Sequence, residues 1–221
     1  MTGTTPMRSV EMARRLYREA PLMRRLVLRM RPRICPFEEL MSHVPQGSSV
    51  LDIGCGSGLF LGLLASTRSG FRGHGTDASR SEIQIARLMA SIVRADGSDA
   101  RLGFSIGDGA DRLPEENFDV VSLIDVAHHL PPGAVAAVLR AAASRVAPDG
   151  GLLIYKDMAS RPRWEARANR LHDLVLARQR ISYVPVQLAE EVLGECGLRL
   201  VHAGTLNLYW YRHELRVFRR T

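Results

Sequence analysis

Gly54, Gly56 and Gly58 recur at alternate positions in VLDIGCGSG, between an apolar run ending at Ile53 and another starting at Leu59. Glycines spaced this way reach backbone conformations closed to other residues and let the main chain approach a ligand closely. A helix opening at Leu59 would turn its unpaired amides toward the same ligand. Four aspartates accompany this loop: Asp52 before it, Asp77 after GHGT, Asp108 after FSIG and Asp125 after VSLI. A carboxylate only accepts hydrogen bonds, so Asp77 can take both hydroxyls of a ribose and Asp108, followed by Gly109, the amino group of an adenine. The GxGxG spacing differs from the GxGxxG that seats a pyrophosphate on a helix. Together these residues point to a nucleoside without phosphates.

A second group could move protons. His128 and His129 follow Asp125-Val126-Ala127 directly, and an imidazole beside a reacting hydroxyl or acidic carbon acts as a general base. The competing role is mechanical, with one imidazole bracing the following helix and the other facing the pocket; His128 is the preferred base. Lys156, Asp157, His172 and Tyr183 are further candidates, and Tyr17 is placed to close over a ligand. For each, a surface or packing role competes with catalysis. Cys55, inside the glycine loop, reads as a space-filler, because a nucleophilic thiol would need a base partner.

These residues require a scaffold that brings strand ends together. Runs at 49–53, 71–76, 102–106, 120–124 and 152–155 read as short buried strands alternating with helices, the pattern of a parallel α/β sheet with crossover helices. Ser79 and Glu82 have the spacing of a capping box, after which Ile85, Leu88, Met89 and Ile92 share one face. A helix is expected over 131–146, stopped by the Pro148–Gly151 turn. Residues 161–180 form a basic amphipathic helix candidate with Trp164 on its apolar side, an insertion at about 160–181. A helix at 186–196 and an antiparallel strand pair at 198–203 and 213–219 complete the chain. Residues 1–46 read as an N-terminal helical cap broken near Pro21, and 47–221 as the ligand-binding domain.

Composition bounds the function. The chain has 221 residues, 46% of them hydrophobic and 24% charged, as in an ordinary globular domain. No apolar run approaches the roughly 18 residues of a membrane span, and the N-terminus lacks the apolar core of a secretory signal, so a cytoplasmic location is expected. Cys35, Cys55 and Cys196 are odd in number and lack CxxC spacing, which opposes a disulfide framework and a zinc site; no metal ligand set is assigned. The net charge of +7 is concentrated in arginines at 8–33 and 161–180, which can attract an acidic partner or serve as solvated helix faces.

The ordered series VLDIGCGSG, TDAS, GDGADRLP, FDVVSLIDVAHHL and LRAAASRVAPDGGLLI, over residues 48–155, resembles the motifs of class I S-adenosylmethionine-dependent methyltransferases. That resemblance implies a Rossmann-like, mostly parallel seven-stranded sheet whose last strand is antiparallel. It implies S-adenosyl-L-methionine as cofactor and S-adenosyl-L-homocysteine as product. The matching positions would be Asp52, Gly54, Cys55, Gly56 and Gly58 at the methionine portion, Asp77 and Ala78 at the ribose, Asp108 and Gly109 at the adenine, and Asp125 and Val126 beside the reactive methyl.

The leading expectation is O- or C-methylation of a small organic acceptor, similar to quinone or polyketide tailoring. Charge reversal at Arg161, Arg163 and Arg167 would test whether an acidic acyl-carrier protein delivers it. An RNA or protein methyltransferase is the alternative, opposed by the lack of an NPPY-type motif at Asp125–His128 and of an aromatic-basic RNA-binding strand. A catalytically silent binding protein and a nicotinamide oxidoreductase stand further off.

Overall fold

A computed structural model describes residues 6–158, 184–208 and 211–221. Three helices come first, α1 (Pro6–Leu16), α2 (Leu22–Ile34) and α3 (Phe37–Ser42). The alternating part follows as β1 (Ser49–Ile53), α4 (Leu59–Thr67), β2 (Arg72–Asp77), α5 (Arg80–Ala95), β3 (Arg101–Ile106), β4 (Val120–Ile124), α6 (Val135–Ala143) and β5 (Leu152–Met158). It closes with α7 (Val186–Glu195), β6 (Leu198–Leu208) and β7 (Tyr211–Arg220). The sheet has seven strands in the order β3-β2-β1-β4-β5-β7-β6. β1 to β5 pair in parallel, and β7 runs antiparallel to both of its neighbours. Thus β7 alone opposes the common direction, as the family resemblance implied.

Both faces of this sheet are covered, and the sequence shows why. Along β5, Leu152 and Ile154 enter one hydrophobic cluster, and Leu153 and Tyr155 the other. Successive side chains of a strand leave opposite faces, so a sheet buried on both sides needs apolar residues at every position. One cluster is roofed by α1, α3, α4 and α5 through Leu16, Tyr17, Leu40, Leu61, Leu64 and Met89. The other is roofed by α6 and α7 through Val138, Leu139, Ala189 and Leu193. The N-terminal helices therefore share a core with the strands.

The sheet changes direction of winding between β1 and β4, which neighbour each other although β2 and β3 intervene in sequence. At such a point the loops following adjacent strands diverge and leave a crevice at the carboxyl ends. Asp77 closes β2, and the loops bearing the glycines, Asp108 and Asp125 follow β1, β3 and β4.

Several expected elements differ in detail. The helix anticipated over 131–146 is a short 3-10 turn, Pro132–Ala134, followed by α6, which ends at Ala143. Beyond it, Arg145 and Val146 donate to Ala142 and Ala143, three residues back. This tightening brings Val146 beside Phe118 in a parallel bridge, which an α-helical course would not do. On α5 the buried positions are Ile83, Ala86, Met89, Ile92 and Val93, so the core face is rotated away from Leu88. The edge pair is longer than expected, and the basic helix candidate at 161–180 lies outside the described residues.

Candidate active site

The crevice beyond β1, β2, β3 and β4 is a cavity of about 600 Å³. Its wall includes Asp52, Gly54, Cys55, Gly56, Asp77, Ala78, Asp108, Gly109, Asp125, Val126 and His129. Of the expected ligand-binding positions, Gly58 alone is off the wall. It caps α4 in a left-handed conformation (φ 79°), and a Cβ there would come 2.9 Å from Phe104 and 3.0 Å from Met89. Core packing therefore requires a glycine at 58, a constraint that only long-range contacts from α5 and β3 disclose.

Gly54 shapes the wall itself. It has φ +71°, and a Cβ would fall 2.5 Å from a Val126 methyl. A non-glycine residue in the left-handed region costs about 1–2 kcal/mol. Gly54→Ala is expected to lower the melting temperature by roughly 2–8 °C and to weaken ligand binding; an unchanged melting curve would contradict this account of the loop.

Asp77 joins the glycine loop to the end of β2. Its Oδ2 accepts from the Gly56 amide at 2.8 Å and its Oδ1 from the Ser79 amide at 2.8 Å. The latter bond dismantles the expected reciprocal capping box. The Ser79 hydroxyl does accept from the Glu82 amide at 3.3 Å, but the Glu82 carboxylate turns instead to the Ser57 hydroxyl and the Arg24 guanidinium. Tyr17, expected to close over the ligand, donates its hydroxyl to the Ser57 carbonyl at 2.8 Å and is buried. It braces the loop from behind.

Deeper in the cavity, Asp52 accepts from the Ser122 hydroxyl at 2.7 Å. Burial raises its pKa to about 7, with the Ser122 bond opposing and Asp77 adding to the rise. Asp125 holds a left-handed conformation (φ 58°), rare for a residue with a side chain and of a kind concentrated at functional sites. Its Oδ1 accepts from Lys156 Nζ at 2.6 Å, and Arg31 lies 3.5 Å from its Oδ2. Burial pushes the Asp125 carboxyl upward, but Lys156 and then Arg31 outweigh it and hold it below the carboxylate range. Asp108 is exposed at the mouth, with Oδ1 accepting from the Asp111 amide at 2.9 Å.

The two histidines differ in placement, and His128, the preferred base of the sequence reading, is the one away from the cavity wall. His128 is buried, its Nδ1 bonded to Asp157 Oδ1 and its amide donating to Asp157 Oδ2 at 3.1 Å. Burial lowers its pKa, but Asp157 prevails and leaves it raised. It ties the turn after β4 to the end of β5. His129, not His128, reaches the cavity wall, and its ring lies 4.0 Å from that of His128 between centroids. Partial burial of the ring, followed by the neighbouring His128, holds its pKa below the ordinary value.

Cys55 keeps its thiol neutral through burial. Lys156 and Asp157, named as candidates for the acceptor roof, stand inside the sheet on β5, whereas His172, Tyr183 and Trp164 fall outside the described residues. Arg24, Leu28, Arg31 and Phe37, from α2 and α3, complete the wall. The motif series begins after these helices, so only the early arginine cluster hinted at them.

The cavity is dominated by acceptors. Asp52, Asp77, Glu82, Asp108 and Asp125 face it, while among the described lining residues Arg24 and Arg31 are the guanidiniums, paired with Glu82 and Asp125. Among the described lining residues a pyrophosphate would find both guanidiniums already paired. A nucleoside carrying positive charge matches both the hydroxyl acceptors and the charge balance.

Comparison with known proteins agrees. Residues 14–203 match a family described as a methyltransferase domain. The ubiquinone biosynthesis O-methyltransferase of Neisseria meningitidis serogroup C is 29% identical over 140 residues, covering 63% of this chain and 54% of that protein. The chain thus spans about half the length of the curated relatives it matches. Among solved structures, magnesium protoporphyrin IX methyltransferase from Synechocystis PCC 6803 with bound SAH superposes with a TM-score of 0.68 at 20% identity, covering 99% of this chain and 96% of that one. The pyocyanin biosynthetic protein PhzM gives a TM-score of 0.69 at 22% identity, covering 93% and 60%. These structures share the fold.

Proposed function

Because the chain belongs to the methyltransferase-domain family, with residues 14–203 matched, we propose that it transfers a methyl group from S-adenosylmethionine to a hydroxyl of a small organic acceptor. The observation that carries this reading is one cavity whose wall brings together Asp77, Asp108 and His129 and whose described guanidiniums, Arg24 and Arg31, are both paired. The preference for oxygen comes from the relatives named as O-methyltransferases.

Asp77 and Ala78 would hold the ribose, Asp108 and Gly109 the adenine, and Asp52, the loop from Gly54 to Gly56, Asp125 and Val126 the methionine portion. Bound S-adenosylmethionine supplies an electrophilic methyl on a sulfonium and leaves as S-adenosylhomocysteine. The chain's own work is positioning: holding reactants in near-attack geometry is worth about 7–11 kcal/mol in favourable cases. The Lys156–Asp125 pair fixes the strained turn after β4, and Asp157 fixes His128, against which the His129 ring rests. His129 then accepts the acceptor's hydroxyl proton on its neutral imidazole. A carrier-bound acceptor is a finer form of this reading, motivated by the arginines of α1 and α2 and those at 161–180.

His129→Ala should lower kcat by about 10²–10⁴-fold with little change in S-adenosylhomocysteine affinity. Since the His129 pKa lies below its ordinary value, the imidazole is already neutral at pH 7. The wild-type rate should therefore stay level from pH 8 to pH 6 and fall only in more acidic buffer. Transfer of labelled methyl groups to a panel of phenols and hydroquinones measures both effects. Calorimetric binding of NADH but not S-adenosylhomocysteine would reject the reading altogether.

A further inference from the structure

Away from the cavity, Glu39 on α3 and His43, the residue capping that helix, are one turn apart and leave the same side. His43 Nε2 lies 3.3 Å from Glu39 Oε1. His202, from β6, brings its ring to 4.6 Å from that of His43 between centroids. The three potential ligand atoms lie within 4.8 Å of one another, and all three residues are half-buried.

Two features of β6 aim His202 at α3. The register against β7 slips between Leu200 and His202, and a bulge of this kind bends a strand and redirects its side chains. Gly204 stands two residues on, where a Cβ would lie 3.1 Å from His202 Nε2; the missing side chain leaves room for the imidazole.

We propose that Glu39, His43 and His202 bind a divalent transition-metal cation of the zinc type, which pins α3 to the outermost strand of the sheet. Zinc takes imidazole nitrogen at about 2.0–2.1 Å and carboxylate oxygen at about 2.0–2.2 Å in tetrahedral geometry, so two of its ligands stand roughly 3.3–3.5 Å apart. The Glu39–His43 separation of 3.3 Å already meets that requirement, and a modest approach of His202 completes three ligands. The fourth position is left to water. Two imidazoles with one carboxylate favour zinc, copper or nickel over magnesium or calcium, which prefer all-oxygen sites. None of the three residues lines the methyl-transfer cavity, so the inference stands independently of the proposed reaction.

The full chain, stripped with a chelator and titrated with Zn²⁺ by calorimetry, should bind with a saturable step that raises its melting temperature. Co²⁺ should give the visible absorption of a tetrahedral site. His43→Ala and His202→Ala should each weaken that step by at least about 10–100-fold, with the far-ultraviolet circular dichroism retained. His43→Gln and His202→Gln keep bulk and polarity and are read in parallel, so that a folding defect in the alanine variants cannot stand in for lost ligation. Absence of a saturable step would overturn the proposal. So would a step unchanged in the His43→Gln/His202→Gln double variant, which would place the ion elsewhere, for instance at the buried Asp125, His128 and Asp157.

Discussion

Asp77→Ala is expected to weaken S-adenosylhomocysteine binding by about 10²–10⁴-fold. The carboxylate accepts the Gly56 and Ser79 amides at 2.8 Å each, and two ionised oxygens have roughly four acceptor sites, which leaves capacity for ribose hydroxyls. Hydrogen bonds to a charged group contribute about 1.5–3 kcal/mol each, so losing two ribose contacts amounts to about 3–6 kcal/mol, the stated range of affinity. The same substitution unties the glycine loop from β2, adding to the loss. Asp77→Asn should fall between wild type and alanine, because its amide retains an acceptor oxygen but points a donor where a second acceptor is needed. Calorimetry on variants shown to melt cooperatively decides the matter. Wild-type affinity in Asp77→Ala would mean that the nucleoside is held elsewhere.

Lys156→Met should destabilise the fold at pH 7 by about 3–5 kcal/mol, the usual cost of removing one partner from a buried ion pair. Lys156 is fully buried, and its Nζ lies 2.6 Å from Asp125 Oδ1. Arg31 cannot replace it, because its contact is longer and its side chain 39% exposed, where solvent screens the attraction.

The pH dependence carries the sign of this effect. In the wild type, the lowered folded-state pKa of Asp125 stabilises the protein above the unfolded value near 3.9 and ceases to do so as the pH falls toward the folded value. In Lys156→Met, burial is no longer outweighed and the folded pKa rises. The defect should therefore be greatest at neutral pH and shrink near pH 4, where Asp125 takes up a proton. Asp125→Asn combined with Lys156→Met should recover most of the stability, since no uncompensated charge remains. Chemical denaturation at pH 7 and pH 4 measures all three, and a Lys156→Met variant as stable as wild type at pH 7 would refute the pairing.

Much of the cavity was legible in the sequence because its parts are local. A strand, a glycine loop and a helix start lie within VLDIGCGSGLF, and Asp77, Asp108 and Asp125 each mark a strand end. In a parallel sheet those ends converge wherever the individual residues point. What stayed hidden depends on direction and distance. His128 and His129 are neighbours with identical chemistry, and the 3-10 turn at Ala127–His129 sends one back to Asp157 and the other to the cavity. Gly58 reads like Gly54 and Gly56, but Phe104 and Met89 reserve its space. Glu82 has the spacing of a capping box, and a serine on another loop claims its carboxylate.

The sequence by itself determined the α/β class, the strands β1 to β5 and the acidic residues of the loops that follow them, since each rests on periodicity or on residues adjacent in the chain. Only the tertiary structure decided that Lys156 neutralises Asp125, that α2 and α3 wall the cavity with Arg24, Arg31 and Phe37, and that Glu39 and His43 meet His202. The physical reason is that contacts between distant segments depend on how helices and strands pack in three dimensions, and side-chain periodicity records which face is buried but not what lies against it.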